Sequence, residues 1–180
     1  MKRNVLVFGL ISGLLISVFT VCTMAWCYQK GNSGGSMVMG FSAMILALSL
    51  MFVAVKNYRD KYNGGFVSFG KALQIGLLIS LIASAMYTVS WAIEYHYFMP
   101  DWLDKYNAHS IKALKNSGAG PAEIAEKTKE ILAMSNLYKN PLYFVFFTFI
   151  EIFPVGVIVS LITALILKRS NKAHSTVAAA

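Results

Sequence analysis

The chain has 180 residues, of which 57% are hydrophobic and 13% charged. Soluble domains run at roughly 45–50% apolar and about 25% charged, and disordered chains are more polar still, so both classes are excluded. Two Cys cannot make a disulfide scaffold, and no Cys/His spacing fits zinc.

Charge placement supplies the class. Residues 4–29, 31–55 and 72–93 contain no charged side chain, and 141–167 contain only Glu151. A spanning helix needs about 20 apolar residues. The expectation is an all-α polytopic membrane protein, one four-span domain over residues 1–180. Its spans fall at about 5–26, 37–55, 71–93 and 141–167, and a helical insert occupies about 94–140 between the third and fourth.

The first span carries Gly9, Gly13 and Ser17 at four-residue intervals. Lys2 and Arg3 before it, and Thr23-Met24-Ala25 within it, imitate a signal peptide. The apolar run from 4 to 29 is too long for a signal core of about 7–15 residues, so the helix is read as uncleaved. Cys22 and Cys27 lie five apart on this helix and point to different sides, so they cannot bridge. Residues 31–36, GNSGGS, read as a polar turn. The second span places Ala43 and Ala47 on one face. Asn63-Gly64-Gly65 reads as a second turn, with the glycines open to positive φ.

The third span has the cleanest ridge of small residues: Gly76, Ser80, Ser84 and Thr88. The fourth carries Gly156, Ser160 and Ala164. Small residues at every fourth position let backbones approach in lipid, where packing drives association, so each ridge is expected to form a helix–helix contact. Five residues of the first span, Gly13-Leu14-Leu15-Ile16-Ser17, recur as Gly76-Leu77-Leu78-Ile79-Ser80, a weak hint of a duplicated helical hairpin.

The insert opens with Trp91, Tyr95, Tyr97, Phe98 and Trp102, where an interfacial aromatic belt belongs. After Pro100, Asp101 is placed to cap a helix reaching about Asn116, with Gly118 as its stop. Pro121 suits the first turn of a second helix, whose inner stripe is Ile124, Thr128, Ile131, Leu132 and Ser135. Glu123 and Lys127 are spaced to pair on its wet face. The insert therefore reads as a helical hairpin over the ends of the bundle.

The net charge of +8 would suit nucleic acid, but its distribution does not. Lys2, Arg3, Lys56, Arg59, Lys61, Lys71, Lys168, Arg169 and Lys172 gather on one face against Asp60 alone, while the insert is nearly balanced. By the positive-inside rule both termini are cytoplasmic and the insert is extracytoplasmic. The basic face is expected to meet anionic lipid headgroups rather than nucleic acid, for which no motif is present.

One constellation could carry chemistry. Glu151, three residues before Pro154, lies near the middle of its span, where an acid costs roughly 2.5–3.5 kcal/mol. Pro154 removes the helical donor to the carbonyl of Ile150. Apart from Lys71 at the edge of the third, no Lys, Arg or His lies in a span, so the acid is expected to be neutral and hydrogen-bonded to an exposed carbonyl or to the hydroxyl of Ser84, Tyr87, Ser17, Ser42 or Ser49. It is an interhelical polar contact, an ion-coupling group, or a lipid or small-ligand contact, and Glu151 and Pro154 are the candidate site. His96 beside Glu94, and His109 near Asp104, match no metal spacing. No nucleophile triad, paired carboxylate or phosphate loop is visible, so no enzymatic activity, cofactor or metal is expected.

Tyr58-Arg59-Asp60-Lys61-Tyr62-Asn63-Gly64-Gly65, Ser68-Phe69-Gly70-Lys71-Ala72, Tyr138-Lys139-Asn140-Pro141-Leu142 and Glu151-Ile152-Phe153-Pro154-Val155-Gly156 together resemble the bacterial membrane family called domain of unknown function 4199. The resemblance covers nearly the whole chain. It implies a four-span inner-membrane protein and no assigned activity.

Two function classes follow. The first is a non-catalytic scaffold or modulator of a membrane-protein partner or of a second copy of the chain. The second, to which the residues lean less, is a small proton- or cation-coupled transporter built on Glu151. A deep cavity reaching Glu151 would favour transport. A dry, fully packed bundle would favour the scaffold.

Overall fold

A computed structural model describes residues 1–29 and 37–169. The chain is all-α: α1 (Lys2–Gln29), α2 (Met37–Leu48), α3 (Leu50–Asn57), α4 (Phe69–Ile93), α5 (Trp102–Lys115), α6 (Pro121–Tyr138) and α7 (Pro141–Leu167). Among the described residues, four helical rods are long and apolar enough to cross a membrane: Lys2–Tyr28, Val38–Tyr62, Phe69–Phe98 and Pro141–Leu167. The protein is a multi-pass membrane protein with α5 and α6 between its last two spans. The polar turn read at 31–36 lies outside the described residues.

Three expectations need correction. The second span is not one helix ending at 55. It breaks at Ser49, whose hydroxyl donates to the carbonyl of Leu46 (2.6 Å), and resumes as α3. A hydroxyl bonded back to its own helix competes with the backbone ladder and often marks such a break. The rod then runs on through a π turn at Tyr58–Tyr62. The third rod likewise continues through a π turn, Glu94–Phe98, so the insert starts later than 94. Asp101 stands at the N-terminus of α5, but its side chain makes no cap. It accepts a hydrogen bond from the Tyr28 hydroxyl and pairs with Lys105 at 2.8 Å, tying α1 to α5.

Local chemistry accounts for the other ends. Asn140 caps α7 by accepting from the amide of Leu142 (3.0 Å), with Pro141 in the first turn where its missing donor costs nothing. Ser68 caps α4 by accepting from the amide of Lys71. Gly64 and Gly65 turn the chain into α4 with φ of 62° and 86°, and Gly118 ends α5 at 79°.

Helix α4 is the centre of the bundle, flanked along its length by α1 and α7. Against α1, Gly9 sits under Ile82 and Gly13 under Met86 and Ala83. A Cβ on Gly13 would lie 2.8 Å from the Met86 sulfur. Against α7 the two helices interlock reciprocally. Gly76 faces Ser160, and Gly156 faces Ser80. The two serine oxygens lie 3.4 Å apart, and each hydroxyl donates back to the glycine carbonyl four residues earlier, Ser80 to Gly76 (2.9 Å) and Ser160 to Gly156 (2.6 Å). The hydroxyls are thus satisfied within their own helices, and the glycines receive them.

This seam closes one half of the bundle. Leu48, Met51, Ala54, Val55, Ile75, Ile79 and Ala164 are all fully buried around it. At the same end, the amide of Arg169 donates to the carbonyl of Val67 (2.9 Å), joining the end of α7 to the segment before α4. The opposite half, where α1 ends and α2 begins, is open. Over it, the side chain of Asn107 in α5 donates to Ser135 in α6 (2.8 Å), both buried, and a Lys127–Glu123 ion pair (2.6 Å) lies on the exposed side of α6. Of the stripe on α6, Ser135 is buried while Leu132 faces outward.

Candidate membrane-embedded acidic site

Glu151 lies on α7 about one and a half turns from Gly156 of the seam, and Tyr87 of α4 lines the same cavity space beside it. This placement follows from the seam. With Ser80 opposite Gly156 in antiparallel helices, the next turns bring Ser84 towards Ile152 and Tyr87 towards Glu151. Of the five partners the sequence offers, Tyr87 is the one that shares both cavities with Glu151. Ser17 and Ser84 are buried with no hydrogen-bond partner for their hydroxyls, and Ser42 and Ser49 face outward. Pro154 is exposed, and α7 runs through it unbroken from Pro141 to Leu167.

Tyr87 and Glu151 stand where two cavities meet. The first, about 300 Å³, lies between α1 and α2 and is lined by Phe19, Thr20, Thr23, Met24, Phe41 and Met44. The second, about 590 Å³, lies beneath α5 and α6 and reaches Trp102, Asn107, Glu130, Ser135 and Tyr138. Met24, Tyr87 and Glu151 belong to both. Glu151 is therefore exposed to cavity space rather than sealed in the core, while the neighbouring Tyr87 is 5% exposed.

A polar chain continues from this junction towards the insert. Trp91 Nε1 donates to the Tyr138 hydroxyl (2.8 Å), and Tyr138 and Thr148 oxygens lie 3.4 Å apart. Burial, the dominant cause, holds the Tyr138 phenol above its ordinary range, so it stays protonated. It can therefore accept from Trp91 and donate to Thr148 at once. The ring of Tyr95 packs edge-on against Tyr138 at 5.9 Å and closes the chain on one side.

The site so formed is one carboxyl, one phenol and two largely apolar cavities. A carboxyl at such a junction can take up or release a proton. Among the described residues no group of three or more His, Cys, Asp or Glu converges as a metal site. Sequence reasoning singled out Glu151 but missed Trp91, Tyr138 and Thr148. Trp91 read as belt and Tyr138 as loop, because their meeting depends on how α6 returns across α4.

The family model described as "Protein of unknown function (DUF4199)" matches residues 7–169. No curated protein and no solved structure matches the chain.

Proposed function

The chain belongs to DUF4199, a family of unknown function, and from that premise we propose that it is a small proton- or cation-coupled carrier whose coupling group is Glu151. The observation that carries this is the junction of two cavities at the Glu151 carboxyl. A solvated or ligand-accessible acid in a spanning helix is by default a functional group. A dry, packed bundle would have favoured the scaffold reading; this bundle is packed only in its seam half. Tyr87 positions the acid. The cavity under α5 and α6 is the access route from one side, and the closed core around Met51, Ile75 and Ala164 is the barrier to the other.

The same reading assigns orientation. Lys71, Lys168 and Arg169 line a cavity of about 750 Å³ at the closed end, together with Tyr58, Asn63 and Ser68. That cluster suits anionic headgroups, so the closed end with both termini belongs at the cytoplasmic face of an inner membrane and the α5–α6 insert outside. Four spans enclose little space, so a second copy of the chain or a membrane partner completes the pathway at a helix interface.

The test is complementation of a deletion strain by Glu151→Gln, with its membrane level measured in parallel. Gln keeps the shape of the carboxyl and can still pair with Tyr87, but it cannot change charge. The expected outcome is a folded protein at parental level that does not complement. Full complementation would leave only a hydrogen-bonding role, a contact worth about 0.6–2 kcal/mol.

A further inference from the structure

A separate cavity, about 360 Å³, lies between the outer ends of α1 and α4 and shares no lining residue with the Glu151 site. Val21, Ala25 and Tyr28 form one wall; Ser90, Glu94 and Phe98 form the other. Glu94 is 6% exposed, and neither of its carboxyl oxygens has a hydrogen-bond partner. A buried carboxyl without partners is unfavourable in either protonation state, because its lost hydration is not replaced. The cation that the structure places beside Tyr28 is already engaged. Lys105 pairs with Asp101 at 2.8 Å and lies 4.0 Å above the Tyr28 ring.

We propose that this cavity binds a primary ammonium group, with Glu94 as its counter-ion. Two unpartnered carboxyl oxygens and the Ser90 hydroxyl offer acceptors for the three N–H donors of such a group. Val21, Ala25 and the Phe98 ring would take its carbon substituents. A divalent metal fits poorly, since it needs six or more oxygen ligands, the Tyr28 hydroxyl is engaged with Asp101, and the other wall side chains are apolar. Tyr28 and Met99 of its walls pack in one cluster with Trp91, Tyr95 and Trp102, aromatic residues of the kind that mark headgroup depth. The ammonium can therefore arrive on a lipid headgroup or on a free amine. The proposal is independent of the role of Glu151.

The experiment uses the full chain in detergent and has two arms. In the first, retention of dioleoylphosphatidylethanolamine is compared with its N-trimethylated counterpart, dioleoylphosphatidylcholine, by native mass spectrometry. In the second, butylamine and tetramethylammonium are titrated and the thermal midpoint is followed. A lipid source predicts roughly tenfold preferential retention of the ethanolamine lipid, the size of one good ionic contact. A soluble source predicts a midpoint rise with butylamine alone. In either arm Glu94→Gln should abolish the preference. A parent that prefers the primary ammonium in neither arm overturns the proposal, as does a Glu94→Gln protein that keeps the preference. Should Glu94→Gln fail to fold, Ala25→Leu fills the facing wall without touching the carboxyl and must also abolish the preference; an unchanged preference in that variant overturns the proposal equally.

Discussion

Gly156 is a residue whose side chain has to be absent. A Cβ there would meet the side chain of Ser80 inside ordinary contact distance, and Ser80 cannot retreat because its hydroxyl is bonded to Gly76 in the same seam. Gly70, in the first turn of α4, has nothing within 4 Å. The two glycines should therefore answer the same substitution with opposite signs. Gly156→Ala overpacks the seam and should lower stability by about 1–3 kcal/mol. Gly70→Ala only restricts the unfolded chain and should raise it by roughly 0.5–1 kcal/mol. Thermal midpoints of the two variants in one detergent decide the matter, and a Gly156→Ala protein as stable as the parent would mean that the seam has slack.

At the scale of elements, the insert is held to the bundle by few side chains, and Asp101 is one that can be switched. Its hydrogen bond from Lys105, then that from Tyr28, hold the Asp101 carboxyl below the usual carboxylate range. A carboxyl whose pKa is depressed in the folded chain stabilises it at every pH above the unfolded value of about 3.9, and loses that contribution as pH falls through the folded value. The α1–α5 tether should therefore be intact at neutral pH and loosen only below the ordinary carboxylate range. Near-ultraviolet circular dichroism reports it, because Trp91 and Trp102 meet edge-on at 5.1 Å beside the tether. The signal should hold from pH 7 down to about pH 4 and then fall, while Asp101→Leu should show a reduced signal already at neutral pH. Loss of the parental signal near pH 6 would point to another group. The side chain of Asp101 was misread as a cap because the local pattern Pro-Asp before a helix is common, whereas its real partner, Tyr28, lies 73 residues away.

The whole molecule was legible in outline and not in its pairings. Apolar runs nearly free of charge located four spans, and Gly118 and Pro121 placed the end of α5 and the start of α6, because those signals are local. The spacing of Gly76, Ser80, Gly156 and Ser160 is also written in the chain. Which ridge meets which is not, since that depends on the rotation of each helix about its own axis. The Trp91–Tyr138–Thr148 chain was out of reach for the same reason, and Tyr87 could be named only as one of five candidates beside Glu151. Orientation is the property of the whole that experiment can fix most directly. Single cysteines introduced as Ser117→Cys and Ser170→Cys, in a background without Cys22 and Cys27, should differ towards an impermeant thiol reagent in intact spheroplasts. Ser117→Cys should label and Ser170→Cys should not; the reverse would invert the topology.

The reciprocal seam between α4 and α7 also acts as a vernier. Its glycines and serines are complementary in one register only. Sliding α7 by one turn in one direction would set Gly76 against Gly156 and leave a void. Sliding it in the other would force Ser80 onto Ser160. Each slip displaces α7 by about 6 Å along its axis, enough to carry Glu151 out of reach of Tyr87. The depth of the acid in the membrane is thus indexed by residues that never touch it, and the α4–α7 pair should travel as one rigid piece. On the proposed carrier reading, any alternation of access then falls to the outer end of α1 and to the start of α2, which line the open cavity.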